Sequence, residues 1–370
     1  MTVNSRSIAS TFAEDGTLTV ELIERELPDP SEHEVLVKVE ASPINPSDLG
    51  VMFGPADLSG ATYSPGKIVT RMNGTVPPPF FKRVGFPMPC GNEGAGTVIA
   101  AGDAPEAQAL LGKTVTCLRG GMYSEYRLVD SRACIPLPDG VDAATGAASF
   151  VNPITTLSFV ETMRQEGFTG LIHTAAASNL GQMLVKVCQE DGILLVNIVR
   201  SPAQVELLRG IGAEHVLNST ASDFDAQLVE AIRATGAMLA FDAIGGGELG
   251  SRILSAMEEV AATGLPFDPY GSNVRKKVYV YGMLDQGPTV IDRSFGFTWD
   301  MAGYILTNFL AQHGPEWMMS AQQRVMAGLT TTFASRFTGK VPLARMLDRD
   351  TVAEYAQMRT GEKVLIVPNE

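Results

Sequence analysis

The chain of 370 residues holds only four cysteines, Cys90, Cys117, Cys134 and Cys188, and no two of them form a CxxC pair. So thin and scattered a set gives neither a disulfide framework nor a thiolate metal knuckle, and it reads as the reduced thiols of a cytoplasmic protein. Histidine is as scarce. His33, His173, His215 and His313 are dispersed without ligand spacing, each reading as a surface or strand-end residue, and no metal is expected. Cations are outnumbered, with 28 Lys and Arg against 41 Asp and Glu and a net charge of −13. That balance argues against nucleic-acid and anionic-membrane partners, and it makes any phosphate site a local exception. No apolar run approaches the roughly 18 residues of a membrane-spanning helix, and the start, Met-Thr-Val-Asn-Ser-Arg-Ser-Ile-Ala-Ser, has no apolar signal core. What is present is ordinary globular material, 45% hydrophobic and 19% charged, in a chain long enough for two domains.

Residues 17–45 alternate like a β-meander, with Leu18, Val20 and Leu22, then Val35, Val37 and Val39, turned at Pro28-Asp29-Pro30-Ser31. Residues 46–90 read as a long loop, punctuated by Gly54, Pro55, Gly60, Pro65, Gly66, Gly74 and Pro77-Pro78-Pro79. Loops of that length often form lids or substrate walls. Strand character resumes at Gly91-Asn-Glu-Gly-Ala-Gly-Thr-Val-Ile99 and continues over 115–118 and 123–129. Near Asp142 the period changes to a helix over 143–164, interrupted at Asn152-Pro153. Strands and helices then alternate over 170–175, 181–190, 193–199, 203–211, 215–217, 224–234, 238–243, 248–258 and 277–283, the pattern of a parallel sheet covered on both faces. Helices near 315–328 and 351–358 follow. The closing strand 363–367 needs a sheet to join, and the N-terminal β-rich part is its expected partner.

The stretch from Leu171 to Arg200 carries the most chemistry. It reads as a strand, a tight turn Thr174-Ala-Ala-Ala-Ser-Asn-Leu-Gly181, an apolar helix and a second strand ending in a cation. Such a unit lays a dinucleotide pyrophosphate on a helix N-terminus, where free N–H groups and the helix dipole favour negative charge. Of the three glycine positions of the fingerprint only Gly181 is glycine, but Ala176 and Ser178 are small enough for a close backbone approach. Arg200 stands where NAD sites usually place an acidic residue for the ribose hydroxyl, and an arginine there suits a 2′-phosphate, so the segment points to NADP(H). Asp242-Ala-Ile-Gly-Gly-Gly247 and Tyr279-Val-Tyr-Gly-Met283 end two further strands in turns, where a doubly wound sheet presents its ligand contacts. The expected organisation is α/β: a β-rich, partly barrel-like domain from 1–145 and 311–370, and a Rossmann dinucleotide-binding domain from 146–310.

Four stretches, Val35-Leu-Val-Lys-Val-Glu-Ala-Ser-Pro-Ile-Asn-Pro-Ser-Asp48, Gly91-Asn-Glu-Gly-Ala-Gly-Thr-Val98, Gly120-Gly-Met-Tyr-Ser-Glu-Tyr-Arg-Leu-Val129 and Ala175-Ala-Ala-Ser-Asn-Leu-Gly181, carry a family resemblance. In this order the chain resembles the medium-chain dehydrogenase/reductase superfamily over almost its whole length. Within it the chain looks like the zinc-free quinone oxidoreductase and 2-enoyl thioester reductase branches. Zinc-dependent alcohol dehydrogenases carry a His before the Glu of the glycine motif; here that place is Asn92, and the structural-zinc lobe is missing. The resemblance implies a GroES-like catalytic domain and NADP(H) as cofactor. Val151-Asn-Pro-Ile-Thr-Thr156 is similar to a helix break of the reductase branch, which implies Asn152, with Thr155, at the nicotinamide end. The same likeness implies cofactor contacts at Ala177, Ser178, Asn179, Leu180, Gly181, Arg200, Ile244, Tyr281, Gly282, Met283, Tyr304 and Lys363. The residues by themselves leave other roles open: Asn152 as a helix cap, Tyr304 as a core aromatic, Lys363 as a solvated charge.

The activity so implied is metal-independent hydride transfer from NADPH to an α,β-unsaturated carbonyl, an enoyl thioester or an enone. The enolate-like oxygen then needs donors and the α-carbon a proton. The reductase branch supplies a tyrosine soon after the Asn-Pro-Ser-Asp motif, but here the stretch reads Leu49-Gly-Val-Met-Phe-Gly-Pro-Ala-Asp-Leu58. Tyr63 is the nearest replacement and, with Asn45, the expected catalytic pair; as a bland alternative Tyr63 packs on the domain surface. Asp48 lines the cleft or caps the next helical turn. A quinone oxidoreductase and a non-catalytic NADPH-binding protein are the other two readings. A CoA substrate needs a cationic entry, for which Lys67, Arg71, Lys82, Arg83 and Arg275-Lys276-Lys277 are candidates. Relatives pair Rossmann domains through edge strands, and the apolar stretch 297–306 suits such a homodimer.

Overall fold

The alternating N-terminal strands form two sheets and not one meander. In this computed structural model, which describes residues 2–72, 76, 78–118, 120–357 and 363–370, Thr17–Leu27 pairs antiparallel with Val3–Phe12 through a turn where Gly16 has φ +81°. Glu34–Pro43 lies in a second sheet, against Gly94–Ala101 and Tyr126–Asp130. Pro28 and Pro30 lack the N–H a ladder needs, so the strands they separate part company, and the tighter turn at Ala13–Gly16 takes the pairing. Leu18, Val20, Val35, Val37 and Val39 are fully buried, so the period-two reading of each strand holds even though the pairing differs. Gly74 and Pro77, and the end of the helix expected to 358, lie outside the described residues.

The stretch 46–90 also holds more structure than a loop. It contains the helix Pro46–Met52, the hairpin Thr62–Ser64 with Lys67–Arg71, a 3-10 turn Pro78–Arg83 and the short strand Met88–Pro89. Pro46 opens the helix, where its missing N–H would be unpaired anyway, and the Asp48 carboxylate accepts the Asn45 N–H at 2.8 Å. The closing strand Val364–Val367 pairs antiparallel with Glu34–Pro43 and parallel with Gly339–Pro342. The chain divides into one unit of residues 1–151 with 325–370 and a second of residues 152–324.

In the second unit six parallel strands run in the spatial order His215–Asn218, Leu194–Val199, Gly170–His173, Leu239–Asp242, Lys276–Val280, Trp299–Gly303. Consecutive residues Leu171 and Ile172, Leu195 and Val196, Leu239 and Ala240 are all buried, as a sheet covered on both faces requires. The strand order reverses between Gly170–His173 and Leu239–Asp242, which is where such a sheet opens its crevice.

The predicted helix over 143–164 is two helices, Ala143–Gly146 and Val151–Gln165, and the break falls at 147–150. Asn152-Pro153 does not interrupt the helix because Pro153 sits in its first turn, where no intrahelical bond is lost. The helix expected near 315 begins at Leu306, with Gly314 (φ +72°) and Pro315 dividing Leu306–Ala327 into two segments. No described helix is long and apolar enough to cross a membrane.

Candidate functional site

The turn after strand Gly170–His173 is shaped by packing that only small residues permit. Ser178 caps the helix Asn179–Asp191, its Oγ accepting the Gly181 N–H at 3.1 Å. A β-carbon on Gly181 would lie 2.1 Å from Ala176 O, so the helix can approach the strand end only with glycine there. Ala175, which the sequence reading did not single out, has φ +48°, the only positive φ among described non-glycine residues. An L-residue in that region is strained, and such strain clusters at ligand sites. Ala177 and Leu180 keep N–H groups with no backbone acceptor among the described residues, and donors of this kind at a helix start suit a phosphate.

Arg200 follows the neighbouring strand Leu194–Val199, exposed, its guanidinium without a protein partner among the described residues. Its backbone N–H donates to Gln204 Oε1 at 3.1 Å, and Ser201 caps the next helix, so the backbone carrying the cation is fixed.

Two further turns meet beside this one. Asp242, ending strand Leu239–Asp242, accepts the Thr174 hydroxyl at 2.6 Å and the N–H groups of Ile244 and Gly245 at 3.0 and 3.1 Å. Thr174 Oγ1 in turn accepts the Ala243 N–H at 2.8 Å. One buried carboxylate therefore organises both strand ends, a network spanning residues too distant in sequence to be read there. A β-carbon on Gly282 would stand 2.5 Å from Ala243 O, so the 281–283 turn closes on the 243–245 turn backbone to backbone. The Asp285 N–H to Ile244 O bond, 2.9 Å, seals the contact.

The phenols of Tyr281 and Tyr304 turn into the interior of this unit. Tyr281 Oη and the buried His173 Nε2 are 2.7 Å apart, and burial keeps His173 neutral down to about pH 3. His173 is thus the strand-end residue expected, but fully buried, with Nδ1 lacking any hydrogen-bond partner among the described residues. Tyr304 Oη donates to Ser158 Oγ at 2.9 Å and lies 3.2 Å from Thr162 Oγ1, its ring edge-on to Phe159, Phe241 and Tyr279. Burial pushes its pKa up to about 12. The core-aromatic alternative for Tyr304 fits this geometry, and the surface of the turn is left to backbone and the exposed Met283. Asn152 and Thr155 lie in the first turns of the helix Val151–Gln165.

In the first unit Asn45, Asp48, Glu93 and Lys363 converge. Asn45 Nδ2 donates to Glu93 Oε1 at 2.9 Å, and Glu93 Oε2 accepts the N–H groups of Phe150 and Val151, each at 2.9 Å. Asp48 Oδ1 accepts the Asn92 N–H at 2.7 Å, and Asn92 Nδ2 donates to Ser47 Oγ at 3.0 Å. Burial outweighs these donors and raises the Asp48 carboxyl to about 7. Lys363 Nζ and Asn45 Oδ1 are buried without a hydrogen-bond partner among the described residues. Burial lowers the Lys363 pKa, and the Glu93 and Asp48 charges oppose that shift. Lys363 is therefore no solvated charge: the register of the last strand carries it inside, where the charge pattern could not show it. Tyr63 stays outside this network. Its half-buried ring packs on the core that includes Met52, Ile68 and Tyr355, with the Arg349 guanidinium 4.7 Å from its centroid. Leu49, Met52 and Phe53, where a tyrosine was sought, are buried apolar side chains.

Most of the cations offered as an entry for an acidic substrate are engaged elsewhere. Arg275 pairs with Glu166 and Asp300, the wholly buried Lys276 with Glu258, and Lys277 with Glu166. Lys67 meets Glu21 and Arg71 meets Asp15, while Arg83 lies over Phe12 and donates to Val51 O. Five of these seven cations, Lys67, Arg71, Arg275, Lys276 and Lys277, have a carboxylate partner, so sequence clustering overstated the free positive charge.

Residues 31–139 match the alcohol dehydrogenase GroES-like domain. A Leishmania amazonensis protein named as a quinone oxidoreductase is 29% identical over 169 residues, 45% of this chain and 48% of that one. The mitochondrial enoyl-[acyl-carrier-protein] reductase of Xenopus tropicalis is 29% identical over 196 residues, 51% of this chain and 49% of that one. The matched part spans about half the length of these curated relatives. A crystal structure of a Mesorhizobium loti protein named as an NADPH:quinone reductase aligns over 100% of both chains, at 29% identity and a TM-score of 0.74. These likenesses support the medium-chain dehydrogenase/reductase superfamily. Within it they point to the quinone oxidoreductase and enoyl reductase-like branch. The fold of a mutant enoyl thioester reductase from Candida tropicalis is shared at a TM-score of 0.68 and 19% identity, over 99% of this chain and 100% of that one.

Proposed function

We propose that this protein is an NADPH-dependent oxidoreductase that reduces an α,β-unsaturated carbonyl, an enoyl thioester or an enone, without a metal. The observation that carries the reading is the pairing of a glycine-tight helix start at Ala175–Gly181 with an exposed Arg200 at the end of the adjacent parallel strand, its guanidinium without a protein partner among the described residues. The residues fit a phosphorylated dinucleotide: any β-carbon at 181 would fill the cradle, and Arg200 is exposed, its guanidinium without a protein partner among the described residues. Ala177 to Gly181 would hold the pyrophosphate, Arg200 the 2′-phosphate, and the 244 and 281–283 turns the nicotinamide half. Bound NADPH supplies the hydride.

The protein's own part is to orient and to manage protons. Asn45, fixed by Glu93, and Lys363, held among buried carboxyls, set the polarity of the first unit's floor. Tyr63 is the proposed proton source for the α-carbon, and its hydroxyl has no competing protein partner among the described residues. The quinone reading has its own support in the apolar, hydroxyl-free run Leu49 to Phe53, because a quinone oxygen takes its proton from solvent without a dedicated acid.

The test sets the purified chain with NADPH against crotonyl-CoA, a small enone and a benzoquinone in turn. Turnover of a conjugated carbonyl that falls in Tyr63→Phe with unchanged NADPH affinity supports the first reading. Turnover of benzoquinone alone, indifferent to Tyr63→Phe, replaces it with the second. Tight NADPH binding with no oxidation by any acceptor leaves a binding protein.

A further inference from the structure

Cys117 and Cys134 are separated in sequence but face each other across the antiparallel strands Thr114–Cys117 and Cys134–Pro136. On either side the ladder is closed by Leu118 N–H to Ala133 O, 3.0 Å, and Leu137 N–H to Thr114 O, 2.9 Å. Bonded and non-bonded pairs alternate in such a ladder, so a bonded 118/133 makes 117/134 a non-hydrogen-bonded pair, whose Cα atoms approach to about 4.5 Å. That separation falls within the range of about 4.4–6.8 Å that a disulfide tolerates. The two Sγ atoms are 3.9 Å apart, within reach of a bond by side-chain rotation. Cys134–Pro136 is the outermost strand of its sheet, which puts the 8% exposed Cys134 at the sheet edge and the wholly buried Cys117 behind it. Cys90 and Cys188 are buried as well, and Cys117–Cys134 is the one cysteine pair in sulfur contact among the described residues.

We propose that Cys117 and Cys134 form a reversible redox site, a dithiol that a hydroperoxide converts into a cross-strand disulfide. Cys134, 8% exposed against 0% for Cys117, is the more accessible thiol and reacts first, while the contact with Cys134 and burial push the Cys117 thiol up. Its thiolate attacks a peroxide oxygen, the O–O bond breaks, and alcohol leaves with the proton that Cys134 gave up. Cys134 is then a sulfenic acid. The Cys117 sulfur displaces hydroxide from it, and the hydroxide leaves as water with the Cys117 proton. The dithiol has lost two electrons and two protons, and the hydroperoxide has become alcohol and water. The bridge ties the edge strand to its neighbour and closes the segment 118–133.

The reduced full chain is treated with hydrogen peroxide, its remaining thiols are blocked, and it is digested without reductant for mass spectrometry. A Cys117–Cys134 peptide that disappears on adding dithiothreitol, with Cys90 and Cys188 still blocked as thiols, supports the site. Cys134→Ala removes that peptide; if the variant does not fold, the wild-type peptide map decides alone. Three results overturn the proposal: Cys134 carried to sulfinic acid with no crosslink, a disulfide between molecules, or unchanged cysteines at a peroxide level that oxidises the exposed Met283.

Discussion

Arg200 is one charge in an acidic chain, and its value depends on being left unpaired. Arg200→Asp should weaken NADPH by about 1.5–3 kcal/mol, roughly tenfold to more than a hundredfold, through loss of a charge-assisted bidentate contact. NADH binding should be little changed, and titration of both nucleotides against both proteins checks it; an unaltered preference for NADPH would remove Arg200 from the site. Asp48 gives a second prediction at this scale. Burial holds its carboxyl at about 7 against an ordinary 3.8, so between those values the folded state keeps a proton that the unfolded chain releases. Stability therefore falls as pH rises through that window and is greatest from this group below it. Asp48→Asn, which cannot titrate, should lack that slope, and urea unfolding at mildly acidic and neutral pH shows whether it does. The same pH dependence in both proteins would refute the assignment.

At the level of elements, what is local was legible and what is long-range was not. Ser178 before an apolar helix and Gly181 three residues on announce the turn, because capping and close approach act within a few residues. Ser178→Ala should cost about 0.5–2 kcal/mol of stability by freeing the Gly181 N–H, and should weaken NADPH with it. Thermal unfolding with and without nucleotide measures both; a stable variant with full affinity would count against the cap. By contrast, the Thr174–Asp242, His173–Tyr281 and Glu93–Lys363 relationships join residues at or beside the ends of different strands. No periodicity encodes them; sheet order and register do. The stretch 46–90 misled for a related reason, since its Pro and Gly mark helix starts and turns as readily as open loop.

Across the whole molecule, the six-stranded sheet ends in the edge strand Trp299–Gly303. Phe297, just before it in sequence, is 75% exposed, and Phe267 and Tyr270 are 92% and 69% exposed. Tyr270 and Phe297 meet edge to face at 6.0 Å, so part of this apolar surface is already assembled. Unpaired edges and exposed aromatics favour association. The expected homodimer should appear as a doubled mass in sedimentation, moving toward monomer in Phe297→Asp; a monomer at all concentrations would exclude it.

By itself the sequence determined the alternation of strands and helices from 170 to 283, the helix start at 178–181 and the cation at 200, because each depends on neighbours a few residues away. Only the tertiary structure decided that Thr17–Leu27 and Glu34–Pro43 part into separate sheets, that Lys363 lies buried among carboxyls, and that Cys117 meets Cys134. Those outcomes follow from register, and a pleated strand turns each side chain to one face or the other only once its partner strand is fixed.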